Sequence, residues 1–325
     1  MDWLTLLIVL ALIFGFLNGF HDSSNVVATI IFSRVMGPRW VLLLTALAEF
    51  SGPFLFGVAV ARTIGADVIQ AEAINPQVLA AALLAGILWN LITWYFGIPS
   101  SSSHALIGGL VGATLVAAGV YAIRNAGLIK ILLALFLAPI IGLVGGYLIT
   151  RLVFFLARNA PLRINWLFKN AQILTGVGLA LSHGTNDAQK TMGVIVLGLL
   201  AHGSLTRFEV PLWVVAASAG VMALGTSIGG WRLIRTLGRR FYKIRPVDGF
   251  CAQVASTIVI LGAALLGGPL STTQVVSATI LGVGSAHRVS KVRWNVAGQI
   301  ALAWVLTIPV TALLAAGLYL GFMHL

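Results

Sequence analysis

Three of the eight acidic residues sit where an acid is expensive. Asp22, Glu49 and Asp187 fall inside long apolar stretches, while Asp2, Asp67, Glu72, Glu209 and Asp248 fall at ends or in loops. A charge at the centre of a bilayer costs about 2.5–3.5 kcal/mol, so such a group faces a cavity or a partner. Asp22 stands in His21-Asp22-Ser23-Ser24-Asn25 and Asp187 in His183-Gly184-Thr185-Asn186-Asp187, each interrupting an apolar run. A carboxylate beside unwound backbone carbonyls suits a hard cation such as sodium, or a proton. A structural ion pair is the competing reading, and for Glu49 neither reading prevails. Two hydroxyl runs supply the opposite chemistry. Ser100–Ser103 follow Pro99 and open an apolar run, and Ser271-Thr272-Thr273 follow Pro269 in the same way. Serine and threonine cap helix N-termini, whose free N–H groups and partial positive charge attract anions. Ser101, Ser102, Ser103, Ser271, Thr272 and Thr273 are therefore candidate contacts for an oxyanion.

Lys190 is the one base inside an apolar segment, three residues after Asp187 and on the same helix face if the helix continues. It either pairs locally with Asp187 or helps to hold an anion. Asn25 occupies the matching place in the first half, so the two copies are chemically unequal. His21, His104 and His183 lie in the motifs without metal-site spacing, and no nucleotide loop, nucleophile elbow or cysteine-rich metal motif is present. These residues point to transport rather than to an enzyme, and to no cofactor.

The elements that position these groups are membrane helices. The chain of 325 residues is 59% hydrophobic and 9% charged, against about 25% charged in an average soluble domain. Ten apolar segments are expected, at about 3–33, 39–61, 77–97, 104–121, 127–150, 169–201, 210–231, 249–266, 274–287 and 295–321. The first and sixth are expected to be broken at their acid motifs. The net charge of +12 does not indicate nucleic acid, because the bases cluster in short loops in the manner of topology signals. With the N-terminus outside, fifteen bases fall in cytoplasmic loops and four in outer loops, so the chain is expected to be a multi-pass protein of the cell (inner) membrane with both termini outside. No cleaved signal peptide is expected, and the lone Cys251 cannot form an intrachain disulfide.

Gly19-x-x-Asp22-x-x-Asn25 recurs as Gly184-x-x-Asp187-x-x-Lys190, and the Pro99 hydroxyl run recurs after Pro269. The expected fold is an all-α integral membrane protein of two inverted-topology repeats, residues 1–160 and 161–325. Each has about five segments, with broken helices and either re-entrant hairpins or full crossings at the hydroxyl runs.

Asn18-Gly19-Phe20-His21-Asp22-Ser23-Ser24-Asn25, the Asn186-Asp187-Ala188-Gln189-Lys190 element and the two Pro-x-Ser-[Ser/Thr]-[Ser/Thr] turns resemble the inorganic phosphate transporter (PiT) family, over essentially the whole chain. The resemblance implies a symporter of inorganic phosphate, coupled to sodium or protons and working by alternating access. It implies a midplane site lined by Asp22, Asn25, Asp187 and Lys190, with Asn186 beside the coupling cation and Gln189 beside the substrate. Asp22 and Asp187 are then the ligands of sodium, if sodium is the coupling ion. Phosphate, in some members as a neutral metal complex, the bilayer and a second copy of the chain are the implied partners. A related branch carries sulfate, which leaves a sulfate or other oxyanion permease as the alternative. His21, where many members have Asn, and Gln274, where His is common, depart from the pattern and bear on the choice of coupling ion.

Overall fold

A computed structural model describes residues 2–66, 69–70, 73–161, 163–241 and 244–324; Asp67, Glu72 and Lys243 lie outside the described residues. Twelve α-helices are present among them: α1 (Trp3–Phe32), α2 (Pro38–Phe56), α3 (Ala59–Ala66), α4 (Pro76–Phe96), α5 (Ser102–Ala118), α6 (Asn125–Leu156), α7 (Ile164–Ala201), α8 (Leu212–Ile228), α9 (Trp231–Arg235), α10 (Pro246–Leu265), α11 (Thr272–His287) and α12 (Trp294–Met323). Among the described residues the β-type pairing is a single bridge, Ile69 with Ile123. Local sequence sets the ends. Asp2 accepts from the Thr5 amide at 2.7 Å and starts α1, Asn75 accepts from the Val78 amide at 2.8 Å and starts α4, and Gly97, at φ +66°, stops α4. Six helices, α1, α2, α4, α6, α10 and α12, are long and apolar enough to cross a membrane, and α8 with α9 forms a seventh such stretch bent by 60°.

The helix breaks are not where the sequence suggests. α1 runs unbroken through His21–Asn25 and α7 through His183–Asp187, so no unwound carbonyls flank Asp22 or Asp187. The polar residues are tolerated because they bond within the helix or to neighbours. Ser23 and Ser24 donate to the carbonyls of Phe20 (2.9 Å) and His21 (3.3 Å). The breaks fall after α2 at Gly57 (φ +84°) and after α8 at Gly229 (φ +79°). A residue with a side chain rarely adopts that left-handed conformation, so glycine is what permits the break there.

α1 and α7 pack antiparallel along most of their length, with Leu7 against Gly198, Gly15 against Thr191 and Ile30 against Gly176. Glycines allow close crossings on either side. A Cβ at Gly184 would lie 2.1 Å from the Glu49 carbonyl oxygen on α2, and one at Gly19 would lie 2.0 Å from the Met222 carbonyl oxygen on α8. Likewise Gly52 meets the Leu181 carbonyl and Gly225 the Phe16 carbonyl.

α4–α5 and α10–α11 are hairpins with closed bases. Gln70 donates its amide to the Ala122 carbonyl at 2.9 Å below the first, and Arg293 to that of Phe241 at 3.2 Å below the second. Their tips, residues 97–101 and 266–271, meet in the interior. Two large apolar cores result, beside a smaller third cluster of Val78, Ala81, Ala85, Ala113, Ala315 and Tyr319. One large core gathers Leu7–Phe14 with α3, α4, α5 and the C-terminal half of α7; the other gathers Val26–Ile30 with α2, α10 and α11. The hairpin tips and the acid motifs form a polar layer between them.

Candidate functional site

Asp22 and Asp187 face one another across the α1–α7 crossing, both fully buried. One ligand atom each from Asp22, His183 and Asp187 lies within 4.8 Å of the other two. Asp187 is the more heavily bonded acid. Its Oδ1 accepts from Asn186 Nδ2 at 2.7 Å, and its Oδ2 from Lys190 Nζ at 2.9 Å and from the Thr272 hydroxyl at 3.0 Å. The i,i+3 spacing expected for Asp187 and Lys190 holds because α7 does not break. Asp22 Oδ1 contacts His21 Nδ1 at 2.9 Å and accepts from the Thr273 hydroxyl at 2.9 Å; its Oδ2 lies 3.5 Å from the Ser102 hydroxyl.

The hairpin tips bring the hydroxyls and helix N-termini. Ser101 accepts from the His104 amide at 3.2 Å and Ser271 from the Gln274 amide at 3.3 Å, so both act as N-caps. They do not reach the acids; their neighbours do. Ser102 lies beside Asp22 and takes a bond from Lys190 Nζ at 3.4 Å. Thr272 and Thr273 divide between Asp187 and Asp22. Asn25 Nδ2 donates to Thr273 Oγ1 at 3.0 Å. The Leu270 carbonyl receives both the Ser103 hydroxyl (2.9 Å) and Asn186 Nδ2 (3.1 Å), tying one tip to the other and to α7. His104 Nδ1 and Gln274 Nε2 meet at 3.0 Å where the tips touch. Among the described residues, the amide oxygens of Asn25 and Asn186 are buried acceptors without a hydrogen-bond partner, next to the two carboxylates.

Glu49 joins the cluster through a residue that the sequence reading undervalued. His183 sits between the carboxylates, with Nδ1 at 2.7 Å from Glu49 Oε1 and Nε2 at 3.5 Å from Asp187 Oδ2. Thr226 donates to the other Glu49 oxygen at 2.5 Å. The spacing His183–Asp187, one helical turn, is the signal that could have raised His183 above a structural histidine. Thr93, which contacts His21 Nε2 at 3.3 Å and Ser100 at 2.8 Å, had no such signal. Gln189 stands apart. Its side chain bonds the Gly57 carbonyl (2.9 Å), the Thr185 carbonyl (2.5 Å) and the Ala61 amide (2.9 Å), bridging the α2–α3 break.

Buried groups of this kind rarely go unsatisfied, and here donors and acceptors of both signs converge from four helices. Residues 18–166 and 155–315 match the phosphate transporter family. Over 315 residues the chain is 45% identical to a protein of Rhizobium meliloti named "Probable low-affinity inorganic phosphate transporter", covering 96% of this chain and 94% of that one. A protein of Bacillus subtilis with the same name is 45% identical over 321 residues, covering 97% and 96%. A solved structure titled "The sodium-dependent phosphate transporter" shares the fold, with a TM-score of 0.90, 24% identity and all of both chains covered. The chain belongs to the phosphate transporter family.

Proposed function

We propose that the protein moves inorganic phosphate across the membrane together with a cation, by alternating access. The observation that carries this is the present use of the anion donors. The hydroxyls of Thr272 and Thr273 and the ammonium of Lys190 are all spent on Asp187 and Asp22. A sodium ion or proton shared by the two carboxylates offsets one of their two negative charges and loosens their hold on those donors. Phosphate then takes up Lys190, Ser102, Thr272, Thr273, Asn25 Nδ2 and the N–H groups that open α5 and α11. Each ligand thereby favours the other's binding, which is the reciprocity that coupling requires. The unpartnered oxygens of Asn25 and Asn186 add oxygen ligands for a hard cation. Glu49 and His183 stand behind Asp187 as its support. Gln189 falls outside this set, and Ser101 and Ser271 act as caps.

Two inverted halves, 1–160 and 161–325, account for the paired contacts. Gly19 on Met222 and Gly184 on Glu49 are one crossing seen twice, as are Thr63 donating to the Gly267 carbonyl (2.7 Å) and Thr236 to that of Gly97 (2.9 Å). The 165-residue offset of Gly19 and Gly184, applied to the antiparallel register, puts the two-fold axis at residues 20–21 and 185–186, inside the acid motifs. On this reading the two hairpins are re-entrant from opposite faces. Six crossings remain, by α1, α2–α3, α6, α7, α8–α9 and α12, with both termini outside and the base-rich loops in the cytoplasm.

Uptake of labelled phosphate into proteoliposomes, with sodium and pH gradients imposed separately and with divalent metal present or absent, tests the proposal. Saturable, gradient-driven uptake that sulfate does not compete for is expected; no saturable uptake under either gradient refutes it.

A further inference from the structure

The two halves repeat their contacts closely enough that the place where they stop matching is informative. The pair Thr63–Gly267 and the pair Thr236–Gly97 fix the correspondence between the α2–α3 break with one hairpin tip and the α8–α9 break with the other. In that correspondence Ala59 answers to Arg232, and Ala264 and Leu265 answer to Trp94 and Tyr95. Around Ala59 there is a cavity of about 590 Å³, lined in part by Val58, Arg62, Phe208 and Glu209. Arg232, in place of that alanine, lies instead on aromatic residues of the first hairpin. Its guanidinium carbon lies 4.9 Å from the Tyr95 ring centroid and 5.3 Å from that of Trp94, and Nη1 donates to the Tyr95 carbonyl. Trp94 packs in turn on Phe20, the residue before His21, at 5.4 Å.

Among the described residues no carboxylate is within ion-pair distance of Arg232. The charge is offset by two aromatic faces and one carbonyl. A stacked guanidinium keeps most of its in-plane N–H donors free, and that planar fork matches two oxygens of a phosphate. Gly97, whose added Cβ would lie 3.8 Å from Arg232 Cβ, begins the turn that delivers Ser102 to Asp22. Arg232 therefore stands one loop away from the central site, on the side of α9.

We propose that Arg232 is an anion-binding station at the inner mouth, which takes phosphate by its guanidinium edge as the anion leaves the central site. This rests on the inverted-halves reading above, in which α9 faces the cytoplasm. The positional counterpart of Arg232 in the other half is Ala59, beside the cavity that holds Arg62, and Arg62 itself answers to Arg235.

The test uses full-length protein reconstituted with one orientation, comparing the apparent KM for external phosphate with that for internal phosphate in efflux. Arg232→Gln is expected to raise the internal KM about tenfold and leave the external KM unchanged. Arg232→Lys keeps the charge and loses the fork, so it is expected to raise the internal KM by a smaller factor. Should the Gln variant not be recovered folded, the Lys variant decides. An unchanged internal KM in the folded variant, or an equal rise on both sides, overturns the proposal. Lower folded yield with both KM values unchanged assigns Arg232 to anchoring at the membrane interface and also overturns it. Wild-type protein that shows no saturable phosphate transport instead removes the functional reading on which the station depends.

Discussion

Asp187→Asn is the perturbation whose consequence the geometry constrains most. Lys190 is among the largest fully buried side chains of the protein. Its charge is balanced by Asp187 Oδ2 at 2.9 Å, and its other close contact is Ser102 Oγ at 3.4 Å. Asparagine keeps the size of Asp187 and can still accept from Thr272, so packing changes little. What is lost is the counter-charge. Breaking a buried pair by removing one partner costs about 3–5 kcal/mol, because the remaining charge is stranded. The converse change, Lys190→Met, should cost less, because Asp187 retains donors in Asn186 (2.7 Å) and Thr272 (3.0 Å). Removing both charges in Asp187→Asn/Lys190→Met should recover most of the loss, since a neutral, well-packed replacement for a buried pair is often close to neutral in stability. Denaturant unfolding of the purified variants, combined as a double-mutant cycle, measures the coupling, which should be at least about 2 kcal/mol. All three variants should lose phosphate uptake. An Asp187→Asn protein within about 0.5 kcal/mol of wild type, or a double variant no more stable than Asp187→Asn alone, would show that the pair is not a desolvated, mutually dependent unit.

Thr272→Val should impair uptake more than Ser102→Ala, because the Thr272 hydroxyl donates to Asp187 at 3.0 Å while that of Ser102 lies 3.5 Å from Asp22. Loss of a hydrogen bond to a charged group is worth about 1.5–3 kcal/mol, so a tenfold or greater change in KM or Vmax is expected for Thr272. Gly184→Ala and Gly19→Ala should each abolish recovery of monodisperse protein, since the new methyl meets a carbonyl oxygen of the crossing helix, whereas Gly317→Ala, with nothing within 4 Å, should be recovered like wild type. Gln189→Leu should lower thermal stability and leave the KM for phosphate unchanged, because all three of its bonds go to backbone, two at the α2–α3 break and one to the Thr185 carbonyl of its own helix; a raised KM with unaltered stability would return Gln189 to the substrate site.

The sequence by itself determined the solvent and the cast of residues. Charge is so scarce, and the apolar runs so long, that only a bilayer accommodates them, and an acid or lysine inside such a run is costly enough to mark itself. Segment positions followed from the same scarcity: the ten expected segments correspond to the twelve helices once α2–α3 and α8–α9 are each counted as two. The breaks were misplaced because polarity along a chain and helicity are different properties. His21–Asn25 and His183–Asp187 look like interruptions in hydropathy, yet their side chains satisfy one another and the backbone ladder continues. Gly57 and Gly229, lost among 36 glycines, take the positive φ that bends the chain.

Only the tertiary structure decided which groups meet. Thr273 reaches Asp22 across 251 positions, Glu49 reaches His183 across 134, and Gln189, adjacent to Lys190 in sequence, points to a different helix. The physical reason is that a one-residue step on a helix rotates the side chain by about 100°. Neighbours in a motif therefore face different partners, and which of them faces the polar layer is fixed by where the glycine crossings let α1 and α7 approach α2, α8 and the two hairpin tips.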